Sequence, residues 1–409
     1  MDYAELLTAV AQHAALRRRQ ILQPIGGKGD KIFPPTYPEE RRGQGPRHVF
    51  ERRRVNGREA WCVLVDSVQS QANRLEEALL TALREGVIAM PYVTVDFSGA
   101  GLAGLTEITS LDAPHRVYDA ILRDSSLDGR PFMKSPLGIR LAEAKLGDAT
   151  ALLEASPTAL LFGSWHSTGE GGGLGAKFPR CFVSEIIAID VPVEDGSTDP
   201  RTGEIEVRTA GRRTGSRIDP LGVLRKVEVF KSPEGWDVEK ERAGKGAKLV
   251  RPSEINHGNI APTVQPLGVT CDYVEHTAVL SFSALRRLGF GGRERDAAGR
   301  SLLAALGIVA LVEQDARGYA LRSRCDLVCD GCAPFELVHA DGTIERVDVT
   351  RDAARSLYEN SRKAAGKAGF QLPTDPVRLK PQDKLVEIVR RSQTLALEGE
   401  GGIAEEGGA

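Results

Sequence analysis

An apolar strand, an amphipathic helix and a second strand follow one another early in the chain, and together they constrain its fold most. Residues 61–65 are an unbroken apolar run that ends at Asp66, which predicts a strand buried on both faces. Residues 69–85 place their apolar side chains on one helical face, and Gly86 follows as a stop signal. Residues 92–97 alternate like a strand, so the three elements predict a β-α-β unit with a right-handed crossover.

Helical and strand patterns alternate along the rest of the chain, with long aperiodic segments between them. The periodicity predicts helices at residues 3–22, 113–123, 137–154, 297–313 and 351–367, and strands at residues 159–162, 182–191, 223–230, 269–282 and 319–328. No internal repeat is visible. We therefore expect an α+β protein whose core is ferredoxin-like and carries large insertions.

The aperiodic segments divide the chain into three parts. Residues 1–60 combine an N-terminal helix with a basic segment rich in glycine and proline, and residues 61–391 form the core. Within the core, residues 194–216 suit a protruding hairpin and residues 231–268 an insertion. Residues 392–409 are acidic and glycine-rich, which predicts a disordered tail.

The charge distribution is more informative than the net charge of −2. Residues 1–60 contain 12 Lys and Arg against 7 Asp and Glu, whereas the last 18 residues contain four Glu and no basic residue. This asymmetry fits one surface that faces a polyanion, although ordinary solvated charge would produce the same counts. With no apolar run long enough for a membrane span or a signal peptide, and only six cysteines, we expect a soluble, reduced, cytoplasmic protein without membrane contact.

Three closely spaced cysteines, Cys325, Cys329 and Cys332, raise the question of a metal centre. The spacing C-x3-C-x2-C resembles that of a [4Fe–4S] cluster of the radical type, and a zinc site would need His339 as a fourth ligand. However, no βα repeat follows, and the alternation around Cys325 is that of a strand face. We expect reduced cysteines in a strand and turn, with no metal and no cofactor.

Two glycine-rich segments place flexible backbone next to lysines. Residues 26–31 (GGKGDK) and 171–177 (GGGLGAK) both lack the G-x4-G-K-[S/T] pattern of a nucleotide-binding P-loop. Their backbone N–H groups and lysines nevertheless suit RNA phosphates, and a mobile surface loop is the alternative. Gly27, Lys28 and Lys31 are the candidate contacts in the first segment.

The second glycine-rich segment begins with an aromatic and polar cluster. Trp165 or His166 would stack on a base, while the basic residues neutralise phosphates. His166 could instead act as the general base of a metal-free RNA cleavage at a 2′-OH. The candidate contacts here are Ser164, Trp165, His166, Ser167, Thr168, Lys177 and Arg180.

Three further segments carry candidate RNA contacts. The first is the N-terminus of the predicted helix 69–85, because helix N-termini attract phosphate. The second is the predicted hairpin, and the third is a glycine loop at residues 289–292 with arginines on both sides. The candidates are Gln69, Gln71, Asn73 and Arg74, then Arg213 and Arg217, then Arg286 and Arg293.

Five long strings of this sequence resemble one known family. They are LQPIGGKGDKIFPPTY (22–37), VLVDSVQSQANRLEEAL (63–79), SLDAPHRVYDAILRDS (110–125), SPTALLFGSWHSTG (156–169) and SRIDPLG (216–222). Their content and order are similar to those of the RAMP-superfamily backbone protein of the type I-G (formerly type I-U) CRISPR system, over about residues 20–330. Arg116, in the third string, joins the candidate RNA contacts.

The resemblance implies a fold and a set of partners. The fold would be a modified RNA-recognition (ferredoxin-like) palm, with fingers at about residues 98–180 and a thumb-like hairpin at 194–216. Several copies would polymerise along the spacer of one guide RNA (crRNA), which then pairs with target DNA. The other partners would be the large subunit, the fused guide-processing subunit and a recruited helicase-nuclease.

The sequence thus predicts a non-catalytic protein that holds guide RNA. The low aromatic content of 5% fits a binder of the RNA backbone that leaves sequence recognition to base pairing. An endoribonuclease that uses His166 and a radical enzyme that uses the cysteine triplet remain the alternatives.

Overall fold

The computed structural model describes residues 1–38, 47–166, 177–198 and 205–397. Within these residues the α-helices are α1 (Tyr3–Gln12), α2 (Val68–Arg84), α3 (Ala120–Arg123), α4 (Pro136–Glu143), α5 (Thr150–Ala155), α6 (Thr158–Leu161), α7 (Phe282–Leu285), α8 (Arg293–Arg317), α9 (Arg351–Lys367) and α10 (Asp383–Leu397). Short 3-10 helices span Arg116–Tyr118, Phe132–Lys134 and Pro252–Ile255.

The strands are numbered in chain order. They are β1 (Ala15–Pro24), β2 (Phe50–Val55), β3 (Arg58–Asp66), β4 (Val93–Asp96), β5 (Glu107–Thr109), β6 (Ser125–Leu127), β7 (Arg130–Pro131), β8 (Ser164–Trp165), β9 (Lys177–Phe178), β10 (Phe182–Ile189), β11 (Val193–Thr198), β12 (Ile205–Thr209), β13 (Arg213–Arg217), β14 (Val229–Ser232), β15 (Gly235–Asp237), β16 (Lys248–Val250), β17 (Ile260–Gln265), β18 (Tyr273–Ser281), β19 (Tyr319–Arg322), β20 (Cys325–Cys329), β21 (Phe335–Val338), β22 (Ile344–Val347) and β23 (Val377–Pro381).

The largest sheet contains a ferredoxin-like core. Along the chain its elements follow the order β1, α2, β10, β18, α8 and β20, and in the sheet the strands lie in the order β20, β1, β18 and β10. Every neighbouring pair in this set is antiparallel. This β-α-β-β-α-β order defines the split β-α-β arrangement. The predicted α+β fold with a ferredoxin-like core and insertions is therefore confirmed.

The predicted β-α-β unit at residues 61–97 is wrong in its pairing. Its three elements exist as β3, α2 and β4, but β3 lies beside β10 in the large sheet while β4 belongs to a separate sheet. There β4 pairs in parallel with β23, which comes from near the C-terminus. A local pattern cannot reveal a partner so distant along the chain.

The predicted N-terminal helix at residues 3–22 is correct only for its first half. Helix α1 ends at Gln12, and the rest becomes β1, between β18 and β20 in the sheet. The residues of β1 alternate in burial, so that Arg18 and Gln20 point into the interior. Both have partners there: Arg18 pairs through its terminal nitrogens with Asp315, and Gln20 donates to the carbonyl of Gly331. These polar residues are buried because they have partners in the fold. In the sequence they produced the polar pattern of a solvent-exposed helix.

Four shorter predictions also need correction. The predicted strand 159–162 is helix α6, the predicted strand 223–230 is reduced to β14 at its end, and the predicted helices 113–123 and 137–154 are each broken into shorter pieces. All four side chains of α6 are buried. A helix that is apolar on every side has the same short sequence pattern as a buried strand, so periodicity cannot separate the two.

A large insertion separates β10 from β18. Strand β11 pairs with β12 as the predicted hairpin requires, with residues 199–204 outside the described part. The end of that predicted hairpin, however, belongs to β13, which pairs with β17 in a second ribbon. Strands β14, β15 and β16 form a small sheet of their own.

The C-terminal boundary also differs from the prediction. Helix α10 continues to Leu397, beyond the tail boundary expected at residue 392. Residues 398–409 lie outside the described part.

Helix α8 lies at the centre of the main apolar core. It packs against α1, α2 and α9, and every residue from Ser301 to Gln314 is buried. An all-round apolar helix of this kind is stable only inside a protein or a bilayer. Among the described residues, no helix combines the length and the apolarity that crossing a membrane requires.

A chain of buried polar groups connects α8 to the sheet. Asp315 accepts from both terminal nitrogens of Arg18, at 2.5 and 2.7 Å, and from the hydroxyl of Tyr319 at 2.5 Å. Because the Tyr319 hydroxyl donates to Asp315, it accepts from Nδ1 of His276, 3.0 Å away. The other ring nitrogen of His276 lies 2.6 Å from the hydroxyl oxygen of Ser184, which donates to Oε1 of Gln71 at 3.2 Å. Burial of the ring disfavours the charged imidazolium form.

We predict that His276 makes the fold sensitive to acid. Burial, with Arg18 nearby, lowers the pKa of His276 to about 3, against about 6.5 in an unfolded chain. Between these values the unfolded chain binds the extra proton, so stability present above pH 6.5 is lost as the pH falls, by about 1.4 kcal/mol per pH unit. Urea unfolding at pH 7, 6 and 5 measures this slope. In the variant His276→Asn, the free energy of unfolding should change less steeply with pH, by the contribution of one proton. Equal slopes in the variant and the unaltered protein would contradict the role given to His276.

Candidate nucleic-acid interface

The predicted RNA contacts fall into two groups at opposite ends of β1. Strand register places the start of β1 beside the end of β18, and the end of β1 beside the start of β18 and the middle of β20. We call these the Ala15 end and the Pro24 end. Ten residues of strand separate them by about 30 Å. The structure therefore does not bring all the candidates together at one place.

The loop at residues 25–33 lies at the Pro24 end and is held at both of its sides. Gly27 and Gly29 have φ values of +101° and +86°, which glycine adopts without strain. After them, the buried Ile32 pairs with Val269 as an isolated bridge. The loop is thus anchored, with its two lysines on the exposed side.

Both predicted lysines of this loop contact protein oxygen atoms but remain near solvent. Lys28 Nζ lies 2.6 Å from Asp330, and its side chain is 67% exposed. Lys31 donates to the backbone carbonyl of Arg212 and lies 5.5 Å from the centre of the Phe33 ring. The loop is thereby joined to the base of the insertion, where the predicted contact Arg213 is also exposed.

Arg324 belongs to the same cluster and was missed by the sequence analysis. Its guanidinium lies 4.7 Å from the centre of the Phe33 ring, on which Lys31 also rests. Its carbonyl accepts from the Phe33 N–H at 3.1 Å, and its φ of +57° places it in the turn between β19 and β20. The only sequence signal was a basic residue beside the cysteine triplet. We call Lys28, Lys31, Arg213 and Arg324 the loop cluster, and leave out Arg212 because its guanidinium pairs with Glu194.

The N-terminal turns of α2 lie at the Pro24 end, but two of their four candidate side chains already bond to protein groups. Gln71 is fully buried and donates to Asp66 at 2.6 Å. Arg74 donates to Asp66 at 3.0 Å and to the carbonyl of Leu321 at 2.5 Å. We therefore remove Gln71 from the interface. Gln69 and Asn73 are exposed, and Arg217 at the far end of β13 is half-buried.

The Ala15 end carries an exposed aromatic side chain with a cation on it. Trp165 is 48% exposed, and Lys177 Nζ lies 4.5 Å from the centre of its ring. Their two strands, β8 and β9, pair with Trp165 opposite Lys177. Ser164 is half-buried and Arg180 is exposed. Ser167, Thr168 and the glycine run to residue 176 lie outside the described residues.

His166 and Arg116 face the interior, so we remove both from the interface. The ring of His166 is 7% exposed and stacks on Tyr118 at 4.9 Å, and burial together with Arg123 lowers its pKa. Arg116 is 6% exposed and donates twice to Glu76, at 2.7 Å each, and to the carbonyl of Gly163 at 3.0 Å. Burial raises the pKa of Glu76 to about 7, against the opposing charge of Arg116.

The third glycine loop also lies at the Ala15 end. The guanidinium of Arg286 is already bound within the protein, because it donates to the carbonyls of Val10 and His13 at 2.8 and 2.7 Å. It thereby ties α7 to the C-terminal end of α1. Arg293 is exposed at the first residue of α8. Of the two predicted contacts in this loop, only Arg293 faces solvent freely.

The cysteine triplet is not arranged as a metal site. Cys325 is buried, Cys329 half-buried and Cys332 exposed, and burial raises the pKa of Cys325 and of Cys329 to about 11. His339 follows a strand that pairs with the start of β1, at the opposite end from Cys329. No group of three His, Cys, Asp or Glu residues suited to a metal ion occurs among the described residues. The zinc alternative is therefore wrong in its ligand set.

Comparisons with known proteins concern mainly the N-terminal part of the chain. Residues 16–193 match a family model described as "CRISPR-associated protein GSU0053". This segment runs from β1 to the start of β11 and covers less than half of the chain. None of the curated proteins that were compared matches.

One solved structure resembles the chain only weakly. It is "Crystal structure of Thermofilum pendens Csc2", at 10% identity and a TM-score of 0.25, over 95% of this chain and 80% of that one. A likeness at this level carries no argument.

We predict that two neighbouring arginines differ sharply in their effect on stability. Arg116→Ala removes the cation and the two hydrogen bonds that hold the buried Glu76 carboxyl, so that this group must protonate or remain unpaired, which should cost about 3–5 kcal/mol. The matched variant Arg180→Ala removes an exposed side chain and should change stability by less than about 0.5 kcal/mol. Urea unfolding without RNA measures both, and equal effects would contradict the structural role given to Arg116.

Proposed function

We propose that this protein is a backbone subunit of a type I-G CRISPR surveillance complex and holds guide RNA without cleaving it. The observation that carries the proposal is the loop cluster, in which Lys31 and Arg324 meet on the Phe33 ring and Lys31 also donates to the backbone carbonyl of Arg212. The match of residues 16–193 to a CRISPR-associated family supports the biological setting. The five strings described above support the subtype.

The loop cluster is suited to a phosphate backbone rather than to base recognition. Its exposed groups are ammonium and guanidinium ions, which contact phosphates of any sequence. The backbone N–H groups of the glycine loop add neutral donors beside these cations. A guide held in this way leaves its base edges free to pair with target DNA.

The second cluster, at the Ala15 end, adds a stacking surface. Trp165 offers an exposed aromatic face, and Lys177 and Arg180 provide positive charge next to it. The two clusters are separated by about 30 Å, a distance that several nucleotides of single-stranded RNA span. One copy would therefore hold a segment of guide between its two ends.

The proposal includes a set of partners and a location. Further copies of the chain would continue along the same guide crRNA in the cytoplasm. Target DNA would be contacted through the guide. The large subunit, the fused guide-processing subunit and the helicase-nuclease complete the proposed assembly.

The endoribonuclease alternative depends on His166. A general base must approach the 2′-OH to within hydrogen-bond distance, and Tyr118 covers one face of this ring. Incubation of the purified chain with repeat RNA in the presence of a chelator tests this alternative. A cleavage product that disappears in His166→Ala would overturn the non-catalytic assignment.

We predict that neutralising the loop cluster weakens RNA binding for every sequence. The double variant Lys31→Gln and Arg324→Gln should lose two phosphate contacts. Its slope of log affinity against log salt concentration should therefore flatten by about 1.4, since each phosphate contact of a single strand contributes about 0.7. The matched control is Lys363→Gln with Lys367→Gln, which removes two exposed lysines from α9. Filter binding of single-stranded RNA at several salt concentrations measures the slopes. Equal slopes for both variants would remove the loop cluster from the RNA path.

A further inference from the structure

The large sheet has a second face that turns away from α2 and α8. In β1 the residues Leu16, Arg18, Gln20 and Leu22 point towards the helices and the main core, so Arg17, Arg19 and Ile21 point to the other side. That side has a small apolar cluster of its own, formed by Cys62, Ile187 and Ile189. This cluster is separate from both larger cores.

A groove of about 270 Å³ lies on this second face. Ile187 and Ile189 line it, and the strand register places Glu275 opposite Ile187 and Tyr273 opposite Ile189. Arg19 joins from β1, where it lies opposite Thr277. The groove thus spans several strands and combines an apolar floor with polar walls.

The walls of the groove carry more positive than negative charge. Three arginines line it, namely Arg19, Arg53 and Arg54, against one carboxylate. Arg53 is already engaged by Glu51 and Glu185. Arg19 is 55% exposed, and its nearest carboxylate oxygen lies 4.0 Å away, on Glu336. The side chain of Arg54 lies on the same strand face as Arg52, opposite Glu59, because side chains alternate along β2. The guanidinium of Arg19 is therefore the cation of the groove that is open to an anion.

The carboxylate of the groove is also without a cation. Glu275 accepts one hydrogen bond, from Thr277 Oγ1 at 3.1 Å, and forms no ion pair with the described residues. It lies close enough to Tyr273 that it raises the pKa of that phenol, in addition to burial, while Arg19 opposes the shift. Tyr273 is half-buried, so part of its ring faces the groove. The groove therefore holds an aromatic ring, an open acceptor and the open cation of Arg19 side by side.

We propose that this groove binds one guanine nucleotide of a single-stranded nucleic acid. The base packs on Tyr273, its N1–H and N2–H₂ groups donate to Glu275, and its phosphate contacts Arg19. Guanine fits because a carboxylate can only accept, and guanine presents two donors on one edge. A volume slightly below the range of about 300–1,000 Å³ that is typical of drug-sized ligands suits a single nucleotide.

This site is separate from the loop cluster and does not rest on the proposed function. Ile32, in the loop of that cluster, packs with Leu22 and Val274, which face the helix side of the sheet. The groove lies on the opposite side. A guide held at the loop cluster and a nucleotide held in the groove would therefore occupy different faces of the same sheet.

Photo-crosslinking of the full chain tests the proposal. The probe is a six-nucleotide single strand of uridines with one 6-thioguanosine, compared with its DNA counterpart and with guanosine monophosphate alone. We expect crosslinked peptides from β18, around Tyr273. Crosslinks with the oligonucleotides but not with the mononucleotide identify a nucleic acid as the ligand, whereas equal labelling by the mononucleotide identifies a free nucleotide and overturns the nucleic-acid assignment.

Matched variants separate the groove from the rest of the surface. Arg19→Gln should reduce the β18 crosslink about tenfold. The control Arg52→Gln removes an equally exposed arginine of β2 that lies on the other side of the sheet, against Trp61. The double variant Lys31→Gln and Arg324→Gln should leave the β18 crosslink intact. Failure of the proposed function at the loop cluster can therefore be distinguished from failure of nucleotide binding in the groove.

The base preference provides the second readout. Glu275→Gln should lower the preference for guanine over adenine by about tenfold, because the amide keeps one acceptor oxygen for the two donors of guanine and replaces the other with a donor. The same variant should keep the part of the binding affinity that comes from the contact between the phosphate and Arg19. The proposal is overturned if Arg19→Gln and Arg52→Gln behave alike, if Glu275→Gln leaves the preference unchanged, or if crosslinks map only to residues 25–33.

Discussion

The bidentate ion pair between Arg18 and Asp315 ties the middle of β1 to the last turns of α8. Through Tyr319, His276 and Ser184 the same group of hydrogen bonds reaches β19, β18 and β10. Loss of one partner from a buried pair leaves a charge in a low-dielectric interior, at a cost of about 3–5 kcal/mol. This network therefore holds β1 in register, and the register of β1 sets the distance between the two clusters of basic residues at its ends.

The three surfaces described here use the same sheet in different ways. The loop cluster forms where an anchored glycine loop, the base of the insertion and the β19–β20 turn meet around Phe33. The Trp165 cluster forms at the other end from a short pair of strands. The groove depends on the sheet face that the helices leave uncovered. A core built from few elements thus supports the proposed RNA path and a second site that is independent of it.

Individual residues show how far the sequence could predict the site. Lys31 and Trp165 stood out because each is a basic or aromatic residue beside a glycine run, and both are close to solvent. Arg116 and Gln71 have equally polar sequence surroundings, yet both are buried against carboxylates: Arg116 against Glu76, 40 residues away, and Gln71 against Asp66 at the end of β3. Arg324 was missed because its neighbours in space, Phe33 and Lys31, are almost three hundred residues away in sequence. Polarity is a property of one residue, whereas exposure depends on what folds over it.

The sequence by itself determined the fold class, the amphipathic helices and the positions of the glycine loops, because periodicity and turn chemistry are local. The sequence also contains the five long strings that resemble a CRISPR backbone family, because such a resemblance can be read from residue order without a structure. The tertiary structure alone decided that β1 is a central strand, that β3 and β4 lie in different sheets, and which arginines face solvent. Each of these depends on a partner brought by the fold from a distant part of the chain, such as Asp315 for Arg18 and β23 for β4.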